Sequence, residues 1–287
     1  MEFAVKDKAF SNKNTLSIRG KVLDISRPKV MGIINVTPDS FYSGSRKQMI
    51  PDILQKASSM LQEGATFLDI GGYSTRPGAL EVSIEQEVQR VVPAIQEILS
   101  QFPEAIISID TFRTQVAEKA LAAGAAIVND ISGGNLDPEM KHFISEKNVP
   151  YILMHMRGTP VTMNSLTNYQ NLMTEMMEFF QNSVYELHSL GMKDIIIDPG
   201  FGFSKTVAQN YVLLKNLTYF KALELPLLIG ISRKSMIFKT LGVKPEEALN
   251  GTTVLNTVGL QNGANILRVH DVKEAVETVT LYNKIYN

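Results

Sequence analysis

The run Asp194-Ile-Ile-Ile-Asp-Pro-Gly-Phe-Gly-Phe203 decides the fold. Three consecutive isoleucines without polar alternation describe a strand buried on both faces, as in a parallel sheet covered by helices. Asp198 stands where the strand ends, and Pro199-Gly200 forces the chain to turn. A carboxylate at the rim of an apolar core is costly without a partner. Asp198 is therefore either a turn residue that caps its own backbone or a group that waits for a ligand. The same device recurs along the chain, which shifts the balance towards the ligand.

Outward from Asp198, short apolar runs alternate with helical periods. Val30–Ile34 ends on Asn35, Phe67–Ile70 on Gly71-Gly72, and Ala105–Ile109 on Asp110. Ala126–Val128 ends on Asn129-Asp130, Tyr151–Met154 on His155, and Ile195–Ile197 on Asp198. Leu227–Ile231 ends on Ser232-Arg233-Lys234, and Asn265–Val269 carries Arg268 and leads to His270. Between these runs the spacing predicts helices over Asp52–Gln62, Ile84–Leu99, Thr114–Ala123, Pro138–Lys147, Leu172–Leu190, Val207–Leu217, Glu246–Gln261 and Val272–Tyr282. Asp137 and Pro138 read as the N-cap and first turn of the fourth. Gly64, Gly124 and Gly263 each close a helix before the next strand. Strand and helix in strict alternation predict one α/β domain, a (β/α)8 TIM barrel. An open doubly wound sheet is the rival, but neither G-x-G-x-x-G nor G-x-x-x-x-G-K-[ST] occurs. Thr15–Ile25 alternates around Gly20 and predicts a short N-terminal β-hairpin. Residues 1–13 read as a flexible N-terminus and residues 14–287 as the single barrel domain.

Composition removes several function classes. The chain of 287 residues has no Cys, so disulfides, thiolate metal sites and a thiol nucleophile are excluded. A formal net charge of −1 offers no electrostatic footprint for nucleic acid or an anionic membrane. The N-terminus has no apolar signal region, and no apolar run is long enough to span a bilayer. The expected compartment is the cytoplasm.

In a barrel of this type the site lies at the C-terminal ends of the strands. The tips read Asn35, Asp69, Asp110, Asn129, His155, Asp198, Lys234, and Arg268 with His270. Each alone is explained by helix capping or solvation; together they form a polar ring around one mouth. Asp110, Asn129, Asp198 and Lys234 mix acceptors and donors without an evident metal cage. That set suits a planar heterocycle, since a carboxylate accepts two parallel N–H bonds from an aminopyrimidine edge. Asn35, Arg268 and His270 come from the first and last strands, adjoin on closure, and suit an anion. His155, flanked by Met154 and Met156, reads as wall rather than catalyst. Met173–Met177 reads as packing surface. Three loops, Val36–Pro51, Tyr73–Ser83 and Met156–Asn171, exceed turn length and suggest lids, with Arg46, Lys47 and Arg76 adding positive charge.

These motifs resemble the dihydropteroate synthase family of pterin-binding enzymes. The resemblance rests on Met31-Gly-Ile-Ile-Asn-Val-Thr-Pro-Asp-Ser-Phe41, Gly71-Gly-Tyr-Ser-Thr-Arg-Pro-Gly78, Ser108-Ile-Asp-Thr111, Asn129-Asp-Ile-Ser-Gly133, Asp198-Pro-Gly-Phe-Gly-Phe203, Ser232-Arg-Lys-Ser235 and Arg268-Val-His270. It implies condensation of 7,8-dihydropterin-6-ylmethyl diphosphate with 4-aminobenzoate in folate biosynthesis, and a sulfonamide target. It implies that Asp110, Asn129, Asp198 and Lys234 hold the pterin beside Met154. Asn35, Arg268 and His270 would hold diphosphate, with Mg2+ at Asn35. Phe203, Ser235, Phe41, Thr75, Arg76 and Pro77 would form the 4-aminobenzoate pocket. Asp110, Lys234 and Arg268 would carry the catalysis, by a dissociative route, and the enzyme would be a homodimer. One departure stands out: where the family continues Ser-Phe-Ser-Asp-Gly-Gly, this chain has Ser40-Phe41-Tyr42-Ser43-Gly44-Ser45. A Schiff-base aldolase using Lys234, a pterin carrier without turnover, and a pterin-dependent methyltransferase are the alternatives. The anion set argues against the last two.

Overall fold

A computed structural model describes residues 13–36, 46–74 and 82–286. The chain begins with the hairpin, in which β1 (Thr15–Ile18) pairs antiparallel with β2 (Lys21–Asp24). Leu16, Ile18 and Ile25 are buried against Met31, Phe67, Ile127, Ile152, Ile196, Leu228 and Ile266. Those partners sit at or near the starts of the barrel strands, so the hairpin closes the bottom of the barrel. Lys13, assigned by sequence to the flexible N-terminus, is anchored: its ammonium pairs with Asp194 at 2.6 Å and its backbone N–H donates to Glu224 at 3.0 Å.

The barrel strands are β3 (Lys29–Asn35), β4 (Phe67–Gly71), β5 (Ile106–Asp110), β6 (Ile127–Asp130), β7 (Tyr151–Met154), β8 (Ile195–Asp198), β9 (Leu228–Ile229) and β10 (Ile266–Val269). All are parallel, in the order β8-β7-β6-β5-β4-β3-β10-β9. A parallel bridge between Ile197 and Leu227 joins the two edges, so the sheet closes on itself. The helices that cover it are α1 (Arg46–Gln62), α2 (Ile84–Gln101), α3 (Thr114–Ala122), α4 (Met140–Lys147), α5 (Leu172–Ser189), α6 (Val207–Lys215), α7 (Ser235–Leu241), α8 (Leu249–Gln261) and α9 (Val272–Tyr286). The outward faces of the strands, including Ile34, Ile70, Ile107, Ile109, Val128, Leu153, Ile197 and Leu267, pack with Ile95, Met176, Phe180 and Leu260 of the helices. The Met-rich stretch of α5 is packing surface, with Met176 and Met177 buried. No helix among the described residues is long and apolar enough to cross a membrane.

Three local expectations need correction. Helix α4 starts at Met140, two residues later than read, while Asp137 still closes the turn that leads into it: one oxygen accepts from the N–H of Glu139 at 3.2 Å and the other from that of Thr114 at 2.7 Å. The seventh strand has two residues rather than Leu227–Ile231. After Gly230 the chain turns, with Lys234 N–H donating to Ile231 at 3.1 Å and Arg233 left-handed at φ 55. Helix α7 was not anticipated, since seven residues span too few turns to show a period.

Register brings the tips to one level. Asn35 lies opposite Gly71, Gly71 opposite Asp110, and Asp110 opposite Asn129. On the far side Met154 lies opposite Asp198.

Candidate active site

Alternation along each strand decides what enters the mouth. Because Leu68 and Ile70, Ile107 and Ile109, Ile195 and Ile197, and Leu267 and Val269 face the helices, Asp69, Ser108, Asp110, Asn129, Asp198 and Arg268 face inward.

Arg268 is the cross-brace of this interior. Its Nε donates to Asp69 at 2.6 Å and its Nη2 to Asp110 at 2.5 Å. Asn129 Nδ2 donates to the same Asp69 oxygen at 3.0 Å. The anion role read for Arg268 is thus incomplete: the guanidinium reaches from β10 across β3 to the carboxylates of β4 and β5. Burial works against its charge, but Asp69 and Asp110 outweigh that and push its pKa up. Burial likewise pushes the Asp110 carboxyl up to about 7; Arg268 opposes the shift and Asp69 adds to it. Asp69 is fully buried, and its Oδ1, like the Ser108 hydroxyl, has no hydrogen-bond partner among the described residues. By sequence Asp69 reads as a tip without a role of its own, although a carboxylate between Leu68 and Ile70 on a buried strand is the signal.

The second half of the mouth is the turn after β8. Asp198 is buried, and its Oδ1 accepts from Gly200 N–H at 2.8 Å. Burial raises its pKa against the opposing effects of Lys234 and the Gly200 N–H. The turn requires glycine: Gly200 has φ 69, and a Cβ there would meet the His155 carbonyl oxygen at 2.2 Å. Lys234, just before α7 and Ser235, donates to the Phe201 carbonyl and lies 4.6 Å from the Phe203 ring centroid. Burial lowers its pKa to about 8, while Asp198 pulls the other way. Phe203 and Met154 come together in one apolar wall with Ile131, Met156, Met163, Phe112 and Leu136.

His270 and Ser232 adjoin at the end of β10. His270 Nδ1 lies 3.1 Å from the Ser232 hydroxyl, which also accepts from His270 N–H at 3.2 Å. Burial, reinforced by Arg268, depresses the imidazole pKa to about 4, so His270 is neutral at pH 7. Arg233 clamps this corner by a two-pronged pair with Asp271, both bonds at 2.8 Å.

His155 is wall, as expected. It is buried among Phe179, Phe180 and Tyr169, and burial holds its pKa well below 6.5. Its partner, Lys205, was not singled out from sequence: the ammonium lies 3.1 Å from His155 Nδ1. The loop at 156–171 is tied down rather than free. Arg157 pairs with Glu175, stacks 3.7 Å over the Tyr169 ring, and donates to Asn168 at 2.6 Å. Phe41, Ser43, Ser45, Thr75, Arg76 and Pro77, and the side chains of Arg46 and Lys47, lie outside the described residues.

Asn35 ends β3, half-buried, beside β10. Among the described residues no three His, Asp or Glu side chains converge into a metal cage. A lone amide oxygen is a hard, neutral donor, which fits Mg2+, an ion that keeps water and phosphate oxygens as its other ligands.

Comparison with known proteins points to one family. Residues 31–270 match the model of the pterin binding enzymes. The chain is 42% identical over 266 residues to the dihydropteroate synthase of Escherichia coli K12, covering 92% of this chain and 94% of that one. It is similar to a structure of Yersinia pestis dihydropteroate synthase with a sulfonamide drug complex, with a TM-score of 0.89 and 42% identity over 95% of this chain and 99% of that one. It is also similar to Xanthomonas albilineans dihydropteroate synthase with 4-aminobenzoic acid, with a TM-score of 0.88 and 36% identity over 95% and 98% of the two chains.

Proposed function

The chain belongs to the dihydropteroate synthases of the pterin-binding enzyme family, and on that premise we propose how its own residues run the reaction. The substrates are 7,8-dihydropterin-6-ylmethyl diphosphate and 4-aminobenzoate, and the products are 7,8-dihydropteroate and diphosphate. The observation that carries this reading is the inward ring of Asp110, Asn129, Asp198 and Lys234 above the wall of Met154 and Phe203. It sets acceptors and donors beside an apolar wall, as a pterin requires.

Asp198 accepts the N–H pair of the aminopyrimidine edge. Asn129 and Lys234 supply the complementary donors. Arg268 and His270, next to Asn35, hold the diphosphate. Two pairings leave Arg268 further N–H groups of its five, and neutral His270 acts as a hydrogen-bond donor. With Ser232 donating to Nδ1, the ring proton sits on Nε2. Mg2+ at Asn35 supplies charge neutralisation for the leaving group when bound.

The mechanism is dissociative. The C–O bond to diphosphate breaks and its electron pair leaves with diphosphate. Asp110, kept near Arg268, stabilises the positive charge spread over the pterin and its methylene. The amine lone pair of 4-aminobenzoate forms the new C–N bond, and one amine proton is lost to water. Phe203 and Ser235 line the approach, with Phe41, Thr75, Arg76 and Pro77 as the expected lid side. The sulfonamide complex of the Yersinia pestis relative supports competition by sulfonamides for this half of the site.

Residues 14–287 act as one domain, and two copies associate. Exposed Leu241, Val254, Leu281 and Ile285 on the neighbouring helices α7, α8 and α9 support a homodimer face. A charged diphosphate substrate that does not cross bilayers supports a cytoplasmic site of action. The test is diphosphate release with both substrates and Mg2+. Release that needs 4-aminobenzoate supports the reading; none, together with borohydride trapping of Lys234 on a carbonyl substrate, replaces it with an aldolase.

A further inference from the structure

Lys205 takes no part in the chemistry above, yet it is among the most enclosed charges in the molecule, 8% exposed. Its ammonium donates to the Gly200 carbonyl at 3.0 Å and the Phe203 carbonyl at 2.9 Å. It also lies 3.1 Å from His155 Nδ1 and 3.5 Å from the His155 carbonyl. Every one of these acceptors belongs either to the turn that follows Asp198 or to the residue after Met154. An ammonium has three N–H groups, so the whole donor set is committed to joining those two segments.

The backbone explains why such a donor is needed. Gly200, Gly202 and Ser204 are left-handed at φ 69, 80 and 52. A turn that alternates in this way leaves its carbonyls outside any ladder, where burial demands partners. Phe201 finds Lys234 on the mouth side; Gly200 and Phe203 find Lys205 behind. Ser204 reinforces the same seam. Its hydroxyl accepts from Arg157 N–H at 2.7 Å and donates to the Arg157 carbonyl at 3.0 Å, which offsets a left-handed non-glycine. Other bonds would keep the turn folded without Lys205: Gly202 N–H donates to Asn210 at 2.7 Å, and Phe203 N–H to Gly200 at 3.1 Å.

We propose that Lys205 is a positioning residue for the pterin subsite, its ammonium fixing the Asp198 carboxylate and the Phe203 ring relative to the Met154 wall. It touches no substrate and acts through those side chains. The inference rests on the dihydropteroate synthase reading, so the wild type is measured first, for turnover and for binding of 6-hydroxymethyl-7,8-dihydropterin by calorimetry. Lys205→Met removes all donors; Lys205→Gln keeps an N–H2 group. The expected result is a Kd for the pterin and a KM for its diphosphate raised about tenfold or more in Lys205→Met, since small misplacement of a binding group has effects of that order. Lys205→Gln falls between Met and wild type, and kcat at saturation stays within about threefold.

Folded variants that bind the pterin as wild type does overturn the proposal. So does a fall in kcat with KM unchanged. So does failure of both variants to fold, which would make Lys205 a requirement of the barrel and not of the subsite. A wild type without turnover or pterin binding sinks the functional reading itself, and this inference with it.

Discussion

Asp198→Asn isolates the contact on which pterin recognition depends. The substitution is nearly isosteric. Its amide oxygen can keep the bond from Gly200 N–H, now 2.8 Å, so the turn retains its closure. What changes is the other oxygen, which becomes an N–H2 group facing the N–H pair of the substrate. One hydrogen bond to a charged acceptor is lost, at about 2 kcal/mol, and a buried donor is left unpaired, at about 2 kcal/mol more. The sum of about 4 kcal/mol corresponds to a Kd raised about a thousandfold. Stability should move little. Burial raises the Asp198 pKa, so the ionised carboxylate costs the empty fold something, and its removal offsets the lost attraction to Lys234. Calorimetric titration with 6-hydroxymethyl-7,8-dihydropterin reads the affinity, and thermal unfolding checks the fold. A folded variant with Kd within about threefold of wild type would show that Asp198 is a turn residue and nothing more.

Three further outcomes are expected. Arg268→Met leaves fully buried Asp69 without its cation; urea unfolding should show a loss of about 3–5 kcal/mol and turnover should vanish, whereas a loss under about 1 kcal/mol would deny the cross-brace. His270, held at about 4 against an ordinary 6.5, stays neutral in the folded state while the unfolded chain takes up a proton. Its contribution is full above pH 6.5 and disappears as pH falls from there to about 4, at most about 3 kcal/mol. His270→Gln should flatten that part of the urea stability profile, and an NMR titration placing the imidazole near its ordinary value would refute the assignment. Ile285→Asp, on the exposed stripe of α9 where Ile285 is 73% exposed, should yield a monomer by light scattering; a dimer of undiminished stability would move the interface elsewhere.

The strands and their polar ends were legible because burial on both faces forces unbroken apolar runs, and a polar residue that ends such a run is conspicuous. Asp198, Asp110 and Asn129 were found in this way. What escaped depends on where side chains go after leaving the backbone. Arg268 belongs to the β10 tip by sequence, yet its length carries it to Asp69 and Asp110. Asp69 is read among the tips, but its pairing with Arg268 and Asn129 is not. Lys205 looks like a solvated loop residue, because nothing in its neighbours tells that four acceptors converge on it. Helix α7 and the two-residue β9 fall below the length at which periodicity speaks.

The charges of the mouth bear on how an anionic substrate is received. Asp69, Asp110 and Asp198 stand against Arg268, Lys234 and Lys205, so the formal charges cancel within the cluster. A neutral pterin ring that donates N–H groups to Asp198 leaves this balance intact. A diphosphate does not: it adds negative charge beside this balanced set, and His270 is uncharged at neutral pH. In a site of low dielectric such an excess is costly. On the proposed reading a cation that accompanies the anion would offset this excess, and a divalent ion whose remaining ligands are phosphate oxygens and water would need from the protein only a neutral oxygen such as that of Asn35.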